Sequence, residues 1–355
     1  MVRGALYSSL RELEETERAE SLAKKRNAKV DPNKFPQSRY SPTNVISSLF
    51  LKPEDKFWID DPNVETGRKE YVLYIGCNVL QTPFLLINCV NVLRKMNIDF
   101  AVVGGTNLCC GSPLLSAGKI QAAESFDRRR MNFFGKFKPR VVIEWDESCN
   151  EFTHLNTKRY MHFDYEIENI ERFIADNISL CNFQRLPNTK VAIHDHYGHD
   201  ARSIADFESP RRVLSAIPGV EIVEMAHSKG EGLECGYDLL AKDKKAALAA
   251  NERVLQEAKA AGADTFLVMW QACYRTYARS EVTHGIRTRH FIDVVAEALG
   301  CVGTTEDRYK QYKVSGNVDH VLSASRETLE ANGYTVDEIR PYVEKYLFGI
   351  DKSFC

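Results

Sequence analysis

The 355-residue sequence predicts an α/β protein built from two tandem parallel halves. Three observations carry that expectation. Short apolar runs each end in Gly or Cys: YVLYIGC at 71–77, DFAVVGGTNLCCG at 99–111 and RVVIEWDESC at 140–149. Helix-length segments separate them, so the runs read as buried parallel strands. The order then repeats, with KVAIHDHYG at 190–198, VEIVEMAHSKGEGLECG at 220–236 and DTFLVMWQAC at 264–273. Positions 77 and 197, 110 and 235, and 149 and 273 are offset by 120, 125 and 124 residues. A repeat of this kind fixes the architecture. Each half is expected to be a Rossmann-like β-α-β-α-β unit whose right-handed crossovers bring the carboxyl ends of its strands to one side, where such sheets bind ligands.

Residues 1–70 differ from the rest of the chain. A charged stretch with helical character at 10–25 precedes a polar segment containing Pro32, Pro36 and Pro42, and then the apolar piece VISSLFL at 45–51. Residues 1–70 read as a partly disordered arm or as an extension that docks on a partner subunit, with packing back on the chain's own sheet as the rival; docking is favoured because Leu49, Phe50, Leu51, Phe57 and Trp58 would be costly to leave in water. The first half spans 71–180, with helical patterns at 83–96 and 115–134. The second spans 181–300, with helical patterns at 209–216 and 237–260. The tail, 301–355, is helical. Its segment 318–334 contains Asn332-Gly333, a helix-stop signal, and Thr335 with Glu338 three residues on is a capping-box pattern.

Composition narrows the function classes. A hydrophobic fraction of 44%, a charged fraction of 27% and a net charge of -2 are those of a soluble globular protein, with no nucleic-acid or membrane-surface footprint. No apolar run reaches the roughly 20 residues that span a bilayer. The charged start MVRGALYSSLRELEETERAE is unlike a secretory signal, so the cytoplasm is the expected compartment. In such a compartment ten cysteines point to metal ligands or redox thiols rather than disulfides. Cys89, Cys181, Cys301 and Cys355 sit in ordinary apolar or terminal contexts.

Cys77, Cys109, Cys110 and Cys149 are different, because three strand-end turns deliver four thiols to one place. Iron–sulfur clusters need thiolates from a small volume. Adjacent cysteines point in different directions, and Gly111 lets the turn bend so that backbone N–H groups approach sulfide. The pattern Cys, Cys-Cys-Gly, x-x-x-Cys resembles the cysteine-rich CCG domain of the B-type subunit of heterodisulfide reductase and of related iron–sulfur subunits. Thirty-one residues separate Cys77 from Cys109, and 35 separate Cys110 from Asp146. CCGSPLLSAG, SPRRVLSAIPGVEIVEM and RHFIDVVAEALG fit as well, so the resemblance covers roughly 71–300.

The resemblance implies a non-cubane or variant [4Fe–4S] cluster, which members with the full motif hold through five cysteines. Here Asp146 stands where the family has the first Cys of its last pair. It can ligate iron through oxygen, leave a four-thiolate cluster, or leave an iron open to substrate; it can also be an ordinary solvent residue. The second copy of the motif is largely erased, with Tyr197, Glu234 and Trp270 in cysteine positions and only Cys235-Gly236 and Cys273 remaining. One cluster per chain is therefore expected, in the first half. His194, His196 and His199, with Glu234 and Cys235, can form a zinc or iron site, line a substrate pocket beside Arg211, or do neither.

By resemblance, the chain is a redox subunit of a heterodisulfide-reductase-like complex, handling electrons to or from a disulfide, a thiol or bound sulfur, in the manner of the sulfur-oxidising variants. The alternatives are a purely electron-relaying subunit of a flavin-dependent dehydrogenase, or a zinc-binding structural subunit. Gly104-Gly105 and Gly230-x-Gly232 do not complete a dinucleotide fingerprint. A flavin-bearing subunit and a ferredoxin-like subunit are therefore the expected partners.

Overall fold

The computed structural model describes residues 37–196, 201–235, 243–301 and 306–349. Two four-stranded sheets, each wholly parallel, form the scaffold. The first has the order β2-β1-β3-β4, from β1 (Tyr71–Tyr74), β2 (Phe100–Val103), β3 (Val141–Glu144) and β4 (Glu166–Asn169). The second repeats it as β6-β5-β7-β8, from β5 (Thr189–Ile193), β6 (Val220–Ile222), β7 (Thr265–Val268) and β8 (Arg287–His290). The α/β class and the tandem halves are thus as the repeat predicts. Each half carries one strand more than expected. β4 reads EIEN and β8 reads RTRH, so these edge strands lack the apolar run that marks a strand buried on both faces.

Helices cover the sheets: α1 (Pro42–Ser47), α2 (Pro83–Lys95), α3 (Ser112–Ser116), α4 (Ile120–Lys136), α5 (Glu147–Leu155), α6 (Ile170–Asp176), α7 (Ala201–Ser215), α8 (Lys244–Ala260), α9 (Gln271–Tyr277), α10 (Ser280–His284) and α11 (Phe291–Ala298). The helical stretch expected at 115–134 is two helices, because Gly118 adopts a positive φ of 76° between α3 and α4. Among the described residues, no helix is long and apolar enough to cross a membrane.

Strand alternation divides the first half's core. Tyr71, Leu73 and Ile75 face a core shared with the second half, where α2 packs against α11 and α6 against α7. Val72 and Tyr74 face the opposite core, under α4, which also holds Cys77, Cys109, Cys110 and Cys149.

The apolar anchors of the amino-terminal segment do not face outward. Val45, Ile46 and Leu49 are fully buried, Phe50 and Trp58 nearly so, and all five join the shared core. Phe50 stacks on Tyr312 at 5.5 Å in the carboxyl-terminal helices, α12 (Arg308–Ser315), α13 (Val318–Ala324), α14 (Arg326–Ala331) and α15 (Val336–Tyr342). Leu49 and Leu51 carbonyls accept from Thr328 and Asn332. The expectation of a docking extension over 1–70 is corrected for residues 45–58: the water-averse side chains are satisfied by the chain's own sheet and tail. Phe57 stays 42% exposed, and residues 1–36 lie outside the described residues. The Thr335–Glu338 capping box forms as expected.

Candidate functional site

Three strand ends converge. β1 runs into Gly76-Cys77, β2 into the Cys109-Cys110-Gly111 turn, and β3 into Asp146 and the first turn of α5, which carries Cys149. All four thiols are buried, at 2% exposure or less, and none is in a disulfide. Cys77 Sγ lies 3.8 Å from Cys109 Sγ, and Cys149 Sγ lies 3.5 Å from Cys110 Sγ. Two glycines make this possible. Gly76 has φ 68°, and a Cβ there would lie 3.3 Å from Cys149 Sγ; Gly111 has φ 89°, and a Cβ there would meet the Ala123 carbonyl oxygen at 2.6 Å. The Gly111 N–H points at Cys109 Sγ from 3.5 Å.

The electrostatics call for a cation. Sulfur contacts from Cys109 and Cys149 hold the Cys110 thiol well below its usual range, helped by the Arg130 guanidinium; the neighbouring sulfurs, and then burial, push Cys109 and Cys149 well above theirs. Four buried thiols this close cannot all ionise unless metal balances them. Asp146 adds an oxygen donor. Its Oδ1 accepts from the Cys149 N–H at 3.3 Å as the N-cap of α5, while its buried Oδ2 has no hydrogen-bond partner. Burial, then the Cys110 charge, pushes its carboxyl up to about 6. Four clustered thiols plus an unpartnered carboxylate oxygen fit the donor set of an iron–sulfur cluster. Asp146, at 1% exposure, is no solvent residue.

Three residues were not singled out from the sequence. Arg130, fully buried, pairs with Asp127 at 2.6 Å and Glu144 at 3.0 Å, and lies 5.0 Å from the centre of the Tyr74 ring. Its place on the apolar face of α4 with Ala123, Asp127 and Phe134 is readable from helical spacing. Tyr74 donates to the Leu108 carbonyl at 2.7 Å and sits 3.9 Å from Cys149 Sγ, bracing the turn before Cys109. Arg275, on α9 of the second half, is 4% exposed, and none of its guanidinium nitrogens has a hydrogen-bond partner. Its charge favours ionised Asp146 across the junction of the halves.

In the second half, His194 and His196 follow β5, Cys235 follows the loop after β6, and Cys273 begins α9. His194, His196, Cys235 and Cys273 form one compact group. Cys273, left out of the expected metal set, belongs to it as the repeat copy of Cys149. Glu234 is exposed and stands outside the group. His199 and Tyr197 lie outside the described residues. Arg211 is engaged in ion pairs: it donates to the buried Asp195 at 3.0 and 2.6 Å and to the more exposed Glu224 at 2.8 Å, a network that fixes the turn after β5.

Comparison with known proteins agrees with this layout. The cysteine-rich domain CCG matches twice, at 71–152 and 196–277. The D-type subunit of the dihydromethanophenazine:CoB–CoM heterodisulfide reductase of Methanosarcina barkeri is 28% identical over 262 residues, covering 68% of this chain and 62% of that one. Its Methanosarcina mazei counterpart is 27% identical over the same length, with the same coverage. The B-type subunit of the fumarate reductase (CoM/CoB) of Methanothermobacter marburgensis is 27% identical over 164 residues, covering 46% of this chain and 32% of that one. The chain thus spans less than two thirds of these relatives' length. Among solved structures, a glutamate racemase of Bacillus anthracis gives a TM-score of 0.29 at 11% identity, over 66% of this chain and 81% of that one, a likeness too slight to argue from.

Proposed function

We propose, for a chain that carries two CCG cysteine-rich domains and is a relative of the D-type subunit of heterodisulfide reductase, that its first half holds one iron–sulfur cluster and that it works as the redox subunit of a heterodisulfide-reductase-like complex. The observation that carries this reading is the set of four buried thiols at three strand ends, paired at 3.8 and 3.5 Å. When bound, a cluster supplies one-electron exchange with a sulfur substrate. The chain's own residues prepare the place. Cys77, Cys109, Cys110 and Cys149 bind, and Asp146 offers an oxygen. The Cys109 and Cys149 sulfurs, with the Arg130 charge as a lesser help, favour the thiolate form of Cys110, and the Gly111 N–H directs a hydrogen at the Cys109 sulfur. Arg275 presents an unpaired cation toward the same region, suited to an anionic disulfide or thiolate. With no dinucleotide fingerprint in the chain, electrons come from or go to partners, a flavin-bearing and a ferredoxin-like subunit in this reading.

A purely relaying subunit would hold the same cluster without binding a sulfur substrate. The two readings separate when the anaerobically purified, cluster-loaded chain meets a disulfide or its thiols: the EPR signal changes only if substrate reaches the cluster. Iron and sulfide analysis tests the cluster itself. Cys110→Ser is expected to strip most of the iron and Cys273→Ser to leave it; equal loss from both overturns the assignment to the first half.

A further inference from the structure

We propose that His194, His196, Cys235 and Cys273 form a closed, four-coordinate zinc site in the second half. It stands where the repeat puts the counterpart of the first half's thiols, and it does not depend on whether the first half holds iron. The four donor atoms lie within 4.8 Å of one another. Cys235 Sγ is 3.8 Å from Cys273 Sγ, and Cys273 Sγ is 3.5 Å from His196 Nε2. A tetrahedron with zinc–sulfur bonds of about 2.3 Å and zinc–nitrogen bonds of about 2.0–2.1 Å has sulfur–sulfur edges of about 3.8 Å and sulfur–nitrogen edges of about 3.5 Å. Both separations fall on those edges.

Other occupants fit less well. A disulfide would bring the two sulfurs to about 2.05 Å. A four-iron cluster needs thiolates that this half lacks. A two-iron cluster of the kind that seats two cysteines on one iron and two histidines on the other holds sulfur and nitrogen on different metals, farther apart than 3.5 Å. Two thiolates and two imidazoles converging on one point are a donor set for a single tetrahedral zinc.

A second observation also points to a missing ion. His194 is 1% exposed, and neither of its ring nitrogens has a hydrogen-bond partner. A buried imidazole left so is costly, and a metal bond satisfies one nitrogen. The surroundings hold the ligands in place. Asp195, between the two histidines, accepts two hydrogen bonds from Arg211 and one from the Lys229 N–H at 2.6 Å, which pins the backbone of 194–196 to the loop leading to Cys235. Phe266 and Tyr277 flank the His194 ring at 5.4 and 5.8 Å, and Trp270 lies 4.8 Å from the His196 ring. Such support fixes ligand orientation. With all four positions filled by protein, the ion ties β5, the 229–235 loop and α9 together.

The test uses the full chain, purified anaerobically, with zinc, iron and sulfide measured together. One zinc per chain is expected. Exchange with Co²⁺ is expected to give the visible d–d bands of a tetrahedral ion and the sulfur-to-metal charge-transfer band of thiolate ligation. Cys235→Ser, Cys273→Ser and His196→Ala should each lose the zinc and the Co²⁺ spectrum while sulfide content stays at the wild-type level. Cys110→Ser should do the reverse, so a failed cluster and a failed zinc site are told apart. The Co²⁺ titration of the wild-type chain stands even if one variant fails to fold. The proposal is overturned by a wild-type chain that takes up neither metal, by zinc retained in the variants, by second-half iron that Cys273→Ser removes, or by a Cys235–Cys273 disulfide in the mass of the unreduced protein.

Discussion

One oxygen of Asp146 accepts from the Cys149 N–H and so caps α5, while the other is buried without a hydrogen-bond partner. The two roles can be separated by substitution. Asp146→Asn keeps a side-chain cap and removes the negative charge, whereas Asp146→Ala loses both and costs about 1 kcal/mol of helix capping. If Asp146 is a cluster ligand or tunes the cluster, the EPR spectrum changes in both variants, and Asp146→Cys retains iron more firmly because thiolate is the softer donor. An unchanged spectrum in Asn and Ala variants alike reduces Asp146 to its capping role. The residue itself was legible as a departure from the motif, but its buried, unpartnered oxygen was not, because burial depends on how the Gly76 turn and α5 close around it. Arg130 is distinguished within Arg128-Arg129-Arg130 by its helical phase alone, which aligns it with Ala123, Asp127 and Phe134, but its buried partners Asp127 and Glu144 come together only in the fold.

At the scale of elements, the segment 42–59 acts as part of the core rather than as an appendage. Removing residues 1–60 deletes Val45, Ile46, Leu49, Phe50 and Trp58. At about 1.5–3 kcal/mol for each buried apolar side chain, the loss is on the order of 10 kcal/mol, comparable to the whole stability of an ordinary domain. The truncated chain is therefore expected to be insoluble or molten, as read by thermal melts and near-UV circular dichroism; a cooperative melt near the full-length value would show that the segment is dispensable. The sequence revealed that these side chains must be buried but not where, since the tail helices that cover them lie far away in the chain, 279 residues from Leu49 to Thr328. Strands buried on both faces were readable from their apolar runs. The edge strands β4 and β8 were not, because one side of each faces polar surroundings and their hydrogen bonds, not their composition, make them strands.

Across the whole molecule, a charge from each half acts on the site of the other. Arg275 of the second half favours the ionised form of Asp146, and Glu151 of the first half favours protonated His196. This mutual proximity predicts electrostatic linkage. Arg275→Met removes a buried positive charge, disfavours the electron-rich state of a first-half cluster, and is expected to shift its midpoint potential negative by on the order of tens of millivolts in an EPR-monitored redox titration. Arg275→Lys should recover most of that shift; an unmoved potential in the Met variant would mean that Arg275 acts elsewhere. A further consequence comes from residue 59. Its N–H donates to the Val102 carbonyl at 2.9 Å and its carbonyl accepts from the Gly104 N–H at 3.0 Å, so it occupies the outer edge of β2. An open sheet edge is a template on which a neighbouring molecule can add a strand. On this side the chain covers part of the template itself at residue 59, and on the other Glu166 and Glu168 place charge along β4, which disfavours edge pairing. Resistance of the first sheet to fibril-like self-assembly therefore rests on residues that never touch the thiols.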